Sequence, residues 1–151
     1  MLDADSRAIL RHLQKDPALT VPDLVALTRL SAAKVGRRLD RMTEDGVILG
    51  QAVIIDWAAL GYAVQVSLRI TLDKTVARAF DDFLSAARKL TEVLEIQTLL
   101  GQVDVRLSLV ARDLPHYQDI YRNQILTLPH IADIEALMTV AVVKSEKTLP
   151  L

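Results

Sequence analysis

The sequence predicts an α+β fold in two parts, on three observations. Between Thr20 and Gly46 two short helix patterns meet at a tight turn, and the second is basic. A β-rich run, VILGQAVIID, follows directly. From residue 63 onward, strand and helix periods alternate in the order βαββαβ. The chain therefore divides into a head at 1–50, a linker strand or hinge at 51–61 and a body at 62–151.

The head opens with a helix whose apolar stripe is Ile9, Leu10 and Leu13, with Asp3, Asp5 or Ser6 available to cap it. Asp16-Pro17 ends it, because proline disfavours helical geometry in the residue before it. Thr20 reads as the next N-cap, with Pro22 in the first turn and Asp23 placed to return a capping-box bond. Leu24 and Leu27 are expected to face inward. Ser31 caps a third helix, in which Val35, Leu39 and Met42 recur at core spacing.

That spacing leaves Ala32, Ala33, Lys34, Arg37, Arg38 and Arg41 on the outside. Small residues at the start of such a helix permit close approach to base edges, and arginines reach guanine edges or phosphates. Gly36 costs about 1 kcal/mol relative to alanine inside a helix, which points to close approach by another helix or by DNA. Asp45-Gly46 breaks the helix. The β-rich run behind it, with Gly50 at a turn, predicts a short hairpin. Helices followed by a hairpin describe a winged helix-turn-helix, and Ser31, Ala32, Ala33, Lys34, Arg37, Arg38 and Arg41 form its candidate DNA-binding set.

In the body, residues 63–72 alternate: Val64, Val66, Leu68, Ile70 and Leu72 on one face, Gln65, Ser67, Arg69 and Thr71 on the other. A helix with Phe80, Phe83, Leu84, Ala87 and Leu90 inward follows. Strands at 93–100 and 104–110 flank the Gly101-Gln102-Val103 turn. A second helix carries Tyr117, Ile120, Tyr121 and Ile125 and stops at Leu128-Pro129. The last strand runs over 131–143. This order predicts a ferredoxin-like four-stranded antiparallel sheet with both helices on one face. A second copy is expected to cover the other face, giving a homodimer whose paired heads suit palindromic half-sites.

Composition bounds the function. Hydrophobic residues make up 51% of the 151, enough for a core, and no apolar run approaches the roughly 20 residues of a membrane span. The opening MLDADSR lacks the basic and apolar regions of a signal peptide, so a cytoplasmic protein is expected. The absence of cysteine excludes disulfides, thiol nucleophiles and thiolate metal sites. A formal net charge of −1 is unusual for a DNA binder. The distribution restores the case, since Arg29, Lys34, Arg37, Arg38 and Arg41 cluster with only Asp40 opposing them.

The head, the Asp56…Leu60-Gly61 linker and the body together resemble the Lrp/AsnC family. The pieces that carry the resemblance run from Leu2-Asp3 to Val143-Lys144. They are the block from Leu30-Ser31 to Asp45-Gly46, then Val47-Ile48-Leu49-Gly50, Gly101-x-x-Asp104 and Leu128-Pro129. The resemblance implies a transcription regulator that binds double-stranded DNA, responds to a small molecule, an amino acid, and assembles from dimers to octamers or larger. By family position it also implies an effector site at Leu100, Gly101 and Asp104, with Leu137, Met138 and Thr139. Asp104 would pair with the effector's ammonium; the alternative for it is a turn aspartate capping its own backbone. The chain departs from the family at Ser6, where many members carry aspartate, and at Gln51, where an aromatic is frequent. It departs again at Gln102, Val103 and Val105, so leucine is not assumed as effector.

No catalytic residue, metal site or cofactor is expected. His12, His116 and His130 lack metal-ligand spacing, and no phosphate loop or nucleophile elbow is present. Two alternatives stand beside the regulator. One is a tetrapyrrole decarboxylase of the same architecture, which would draw on Arg69, Arg106, Arg112, Arg122 and His116. The other is an effector-independent interaction or scaffold protein.

Overall fold

Asp3 opens α1 (Ala4–Leu13) by accepting the Ser6 N–H at 2.9 Å. The computed structural model describes residues 2–145 and 148–151. It forms two units, Met1–Ile54 with Lys144–Leu151, and Ile55–Val143. In α2 (Val21–Thr28) Thr20 and Asp23 make the expected reciprocal capping box, with the Thr20 N–H donating to Asp23 at 2.8 Å. Arg29 closes α2 in the left-handed region, at φ 60°, and turns the chain toward α3 (Ala32–Glu44), which Ser31 caps.

Ile9, Leu24, Val35 and Met42 form the head's core, with Leu10, Leu13, Leu39 and Ile48 packed against it. Leu27, expected inward, is exposed. The inward stripe of α2 is Val21, Leu24 and Val25, and Leu27 lies well over 60° around the helix from that stripe's centre at 100° per residue.

The expected hairpin is absent. Val47 and Ile48 donate to the Met42 carbonyl at 2.8 and 2.9 Å, which ends α3. Beyond them the described chain forms no strand before residue 64, and Leu49, Val53 and Ile54 are exposed. The β-rich composition is there, but strands form only against a partner strand, and this unit offers none. Residues 51–54 group with the head, as do Lys144–Leu151, which the sequence reading gave to the body. The tail is held by α1: Arg11 Nε donates to the Leu151 carbonyl at 2.7 Å, and Gln14 bonds both the N–H and the carbonyl of Leu149 at 2.6 and 3.1 Å. Glu146 and Lys147 lie outside the described residues.

In the body, β1 (Val64–Leu72), α4 (Ala79–Ala87), β2 (Val93–Thr98), β3 (Val105–Ala111), α5 (Leu114–Ile120) and β4 (Ile131–Met138) follow the expected order. The sheet order is β2-β3-β1-β4, antiparallel throughout. Val66, Leu68, Ile70 and Leu72 of β1 join Val105, Leu107 and Leu109 of β3 in one core under Phe83, Ala87, Tyr117 and Ile120. Ser67, Arg69, Arg106 and Ser108 occupy the other face, where Arg69 pairs with Glu135 at 3.4 Å and Arg106 with Glu95 at 3.5 Å.

Three details differ from expectation. Phe80 is exposed, because Ala79, Phe83 and Ala87, four residues apart, take the inward stripe of α4. A π-helical turn, Tyr121–Ile125, extends α5. Its wider turn, with Leu126 donating to Tyr121 at 2.9 Å, returns Ile125 to the core face below Ile120. The last strand stops at Met138 instead of 143. Its partner β1 begins at Val64, so the final ladder bond is Thr139 N–H to Gln65 at 2.9 Å, and Val140 and Val143 are exposed.

Candidate nucleic-acid interface and effector site

Ser31 fixes the start of α3 by accepting the Lys34 N–H at 3.3 Å, with Ala32 and Ala33 exposed beside it. The four cations that follow are not equivalent. Arg38 turns back to α1: it donates to Asp3, to Ser6 Oγ at 3.0 Å and to Asp5 at 3.1 Å, and its side chain is only 23% exposed. Lys34 meets the same Asp5 at 2.6 Å. Arg41 reaches Asp45 across one turn, at 3.5 Å, with its side chain 82% exposed. Arg37 is exposed and has no side-chain partner among the described residues.

The cluster thus divides by function within the fold. Arg38 ties α3 to α1, Lys34 contributes to the same tie, and Arg37 and Arg41 project freely enough to meet a polyanion. The Ser6 amide first, and the Arg38 guanidinium after it, hold the Asp3 carboxyl down at about 2, below its ordinary 3.8. The Thr20 hydroxyl, then the Thr20 amide, lower Asp23 likewise. Asp3, Asp5 and Ser6, legible in the sequence only as caps of α1, are the partners of Arg38. Ser6 is the buried polar residue among the described residues of the head. Among the described residues nothing lies within 4 Å of a Cβ added at Gly36.

The expected effector residues fall at two places. Asp104 sits where β3 meets β1, and its carboxylate accepts the Leu72 N–H at 2.9 Å and lies 3.7 Å from Lys74 Nζ. Leu72 is where the β1–β4 register shifts, so the carboxylate satisfies an amide that the bulge frees from its ladder. Leu100 and Gly101 form the exposed tip of the β2–β3 loop, Gly101 at φ 152°. Leu137, Met138 and Thr139 lie toward the other end of β1, opposite Ser67, Val66 and Gln65. From Ile70, which accepts the Asp104 N–H, to Gln65 the strand rises about 16 Å. One chain does not bring the two groups together.

Of the residues the decarboxylase alternative would need, Arg69 and Arg106 are held in the ion pairs of the open sheet face. His116 Nδ1 accepts the Arg112 N–H at 3.1 Å beside α5.

Comparison with known proteins places both parts. Residues 65–149 match the family model of the Lrp/AsnC ligand binding domain, and residues 2–48 match that of a winged helix-turn-helix DNA-binding domain. Transcriptional regulator AzlB of Bacillus subtilis is 28% identical over 100% of this chain and 96% of its own. An AsnC family transcriptional regulator from Agrobacterium tumefaciens superimposes with a TM-score of 0.88 at 30% identity, covering 99% of this chain and 97% of that one. A transcriptional regulator from Neisseria meningitidis, solved in complex with L-Met, superimposes with a TM-score of 0.91 at 25% identity over 99% and 97% of the two chains.

Proposed function

This chain belongs to the Lrp/AsnC family, and on that footing we propose that α3 reads DNA through Arg37 and Arg41 while the body senses an amino acid. It is a DNA-binding transcription regulator, with the head matching a winged helix-turn-helix and the body a ligand binding domain of that family. The observation that carries the residue assignment is the partition on α3: Arg37 has no side-chain partner among the described residues and Arg41 is exposed, whereas Arg38 is tied to α1. Ser31, Ala32 and Ala33 bring the start of α3 close to the groove, and Lys34 contributes charge from the rim of the clamp. The protein works as a regulator, not an enzyme, in the cytoplasm with its DNA.

The effector is an amino acid, in keeping with the L-Met complex of the Neisseria meningitidis relative. Because Asp104 meets β1 at Ile70 while Leu137 to Thr139 lie opposite Ser67 to Gln65, about 10–16 Å further along the strand, a site using both groups draws them from different subunits. The exposed apolar run through Val53 and Ile54, and Val140 and Val143 after β4, support assembly into a dimer and then an octamer. Binding at a subunit interface then shifts the oligomer equilibrium and changes how many heads engage DNA at once. Sedimentation velocity and operator affinity, each measured with and without L-methionine and other amino acids, test this. The proposal requires that at least one amino acid move both quantities; indifference of both to every amino acid would end it.

A further inference from the structure

We propose that the body carries a small-molecule site apart from the residues named above, in the cleft between the turn after Trp57, the start of β2 and the β3–α5 junction, and that it takes an apolar L-amino acid. The inference rests on the amino-acid reading but not on Asp104 or its neighbours. The cleft is open to solvent on one side and offers about 330 Å³, the lower end of the usual range for small-molecule pockets.

The turn that forms one wall is built locally. Asp56 accepts the Ala58 and Ala59 N–H groups at 3.0 and 3.4 Å, and the Trp57 carbonyl receives Leu60 and Tyr62 at 3.1 and 2.9 Å. Trp57, Leu60 and Leu94 supply an apolar lining that no element of the body covers. Arg112 lines the same cleft, and its guanidinium has no partner among the described residues. His116 spends Nδ1 on the Arg112 amide at 3.1 Å, so in the neutral ring Nε2 carries the proton and remains a donor. A guanidinium fork beside an imidazole N–H suits a carboxylate. Glu92 has one oxygen held by the Thr91 hydroxyl at 3.0 Å and the other available to an ammonium. The cleft thus offers a cation, an anion and an apolar wall together, whereas Asp104, the carboxylate the family position suggests, is already committed to Leu72 and Lys74.

Trp57 is the sole tryptophan of the chain, so its emission reports directly on the cleft. The test titrates L-phenylalanine and L-leucine into the full-length protein, following Trp57 fluorescence with calorimetry alongside. The same titrations are run on Arg112→Ala and Glu92→Gln and with 3-phenylpropionate, which lacks the ammonium. The expected result is a saturable emission change. Arg112→Ala should weaken binding about tenfold or more, on the scale of a lost charge-assisted contact. Glu92→Gln should weaken the amino acids and leave 3-phenylpropionate unchanged. Absence of any saturable response, or equal affinity in Arg112→Ala, overturns the site. An emission change that follows protein concentration instead of ligand would mean that a second copy fills the cleft, and overturns it too. Amino-acid-dependent operator binding by a native protein whose Trp57 emission shows no saturable response would overturn the cleft while leaving the regulator reading intact.

Discussion

Arg38 of α3 and Asp5 of α1 stand 3.1 Å apart, and Nη1 of the same guanidinium donates to Asp3 and to Ser6 Oγ. Arg38, one of the candidate DNA-binding row, is also a strut between two helices of the head. This changes what substitutions on α3 report. Arg38→Ala is expected to destabilise the head by about 1–2 kcal/mol, through loss of charge-assisted bonds at a half-buried site, so any loss of DNA binding follows from misplacement of α3. Arg37→Ala, at an exposed and unpartnered position, should leave stability within about 0.5 kcal/mol and still weaken operator binding. Thermal melts followed by circular dichroism, run beside binding assays, separate the two.

Gly36 gives an independent probe of close approach. None of the described residues lies within 4 Å of a Cβ added there, so Gly36→Ala should stabilise the free protein by up to about 1 kcal/mol from helix propensity alone. If DNA approaches α3 closely at this point, the same variant binds operator more weakly despite its higher melting temperature. A variant that gains stability and binds unchanged would place the duplex further away.

The head should also be sensitive to acid. Asp3 is held at about 2 in the folded state against an ordinary 3.8, a depressed carboxylate. Its contribution is therefore complete above about 3.8 and is lost as pH falls through about 2. Asp23 is lowered as well and acts in the same direction. The head's helical signal should become less stable to heat between pH 4 and pH 2, and Asp3→Asn, which keeps an N-cap oxygen but does not titrate, should flatten that dependence. An unaltered slope in Asp3→Asn would assign the acid sensitivity to other carboxylates.

Asp104 can be tested for its two roles separately. Asp104→Ala orphans the Leu72 N–H and should cost the body about 1–3 kcal/mol. Asp104→Asn retains an acceptor for that amide while losing the charge that faces Lys74. If an effector ammonium reads Asp104, the asparagine variant loses its response at near-native stability. If Asp104 serves only the bulge, the asparagine variant responds normally.

What the sequence made legible was local. Thr20, Asp23 and Ser31 announce their caps within three residues, and the alternation of β1 needs only its own ten residues, so helix starts, strand identity and sheet order follow. What depended on distant partners was hidden. The strut from Arg38 spans 35 residues to Asp3, and no local pattern distinguishes Arg38 from Arg37. The run after Gly46 and the end of β4 have strand composition without a partner strand in the chain, so propensity overstates both. Leu27 and Phe80 were placed inward by hydrophobicity, although Val21 with Val25 and Ala79 with Ala87 define the buried stripes. For the effector residues, family position supplied names but not the separation along β1, nor the use of Asp104 by the bulge at Leu72.

The most direct test is fluorescence anisotropy of the full-length protein on a duplex from upstream of its own coding sequence, against a scrambled duplex, with native protein and Arg37→Ala titrated across salt. Tight, sequence-dependent binding is expected of the native chain. Arg37→Ala should show either a salt slope reduced by about one unit, for a phosphate contact, or relaxed discrimination, for a base contact. Weak binding that ignores sequence and is unchanged in Arg37→Ala would contradict a DNA-reading role for α3.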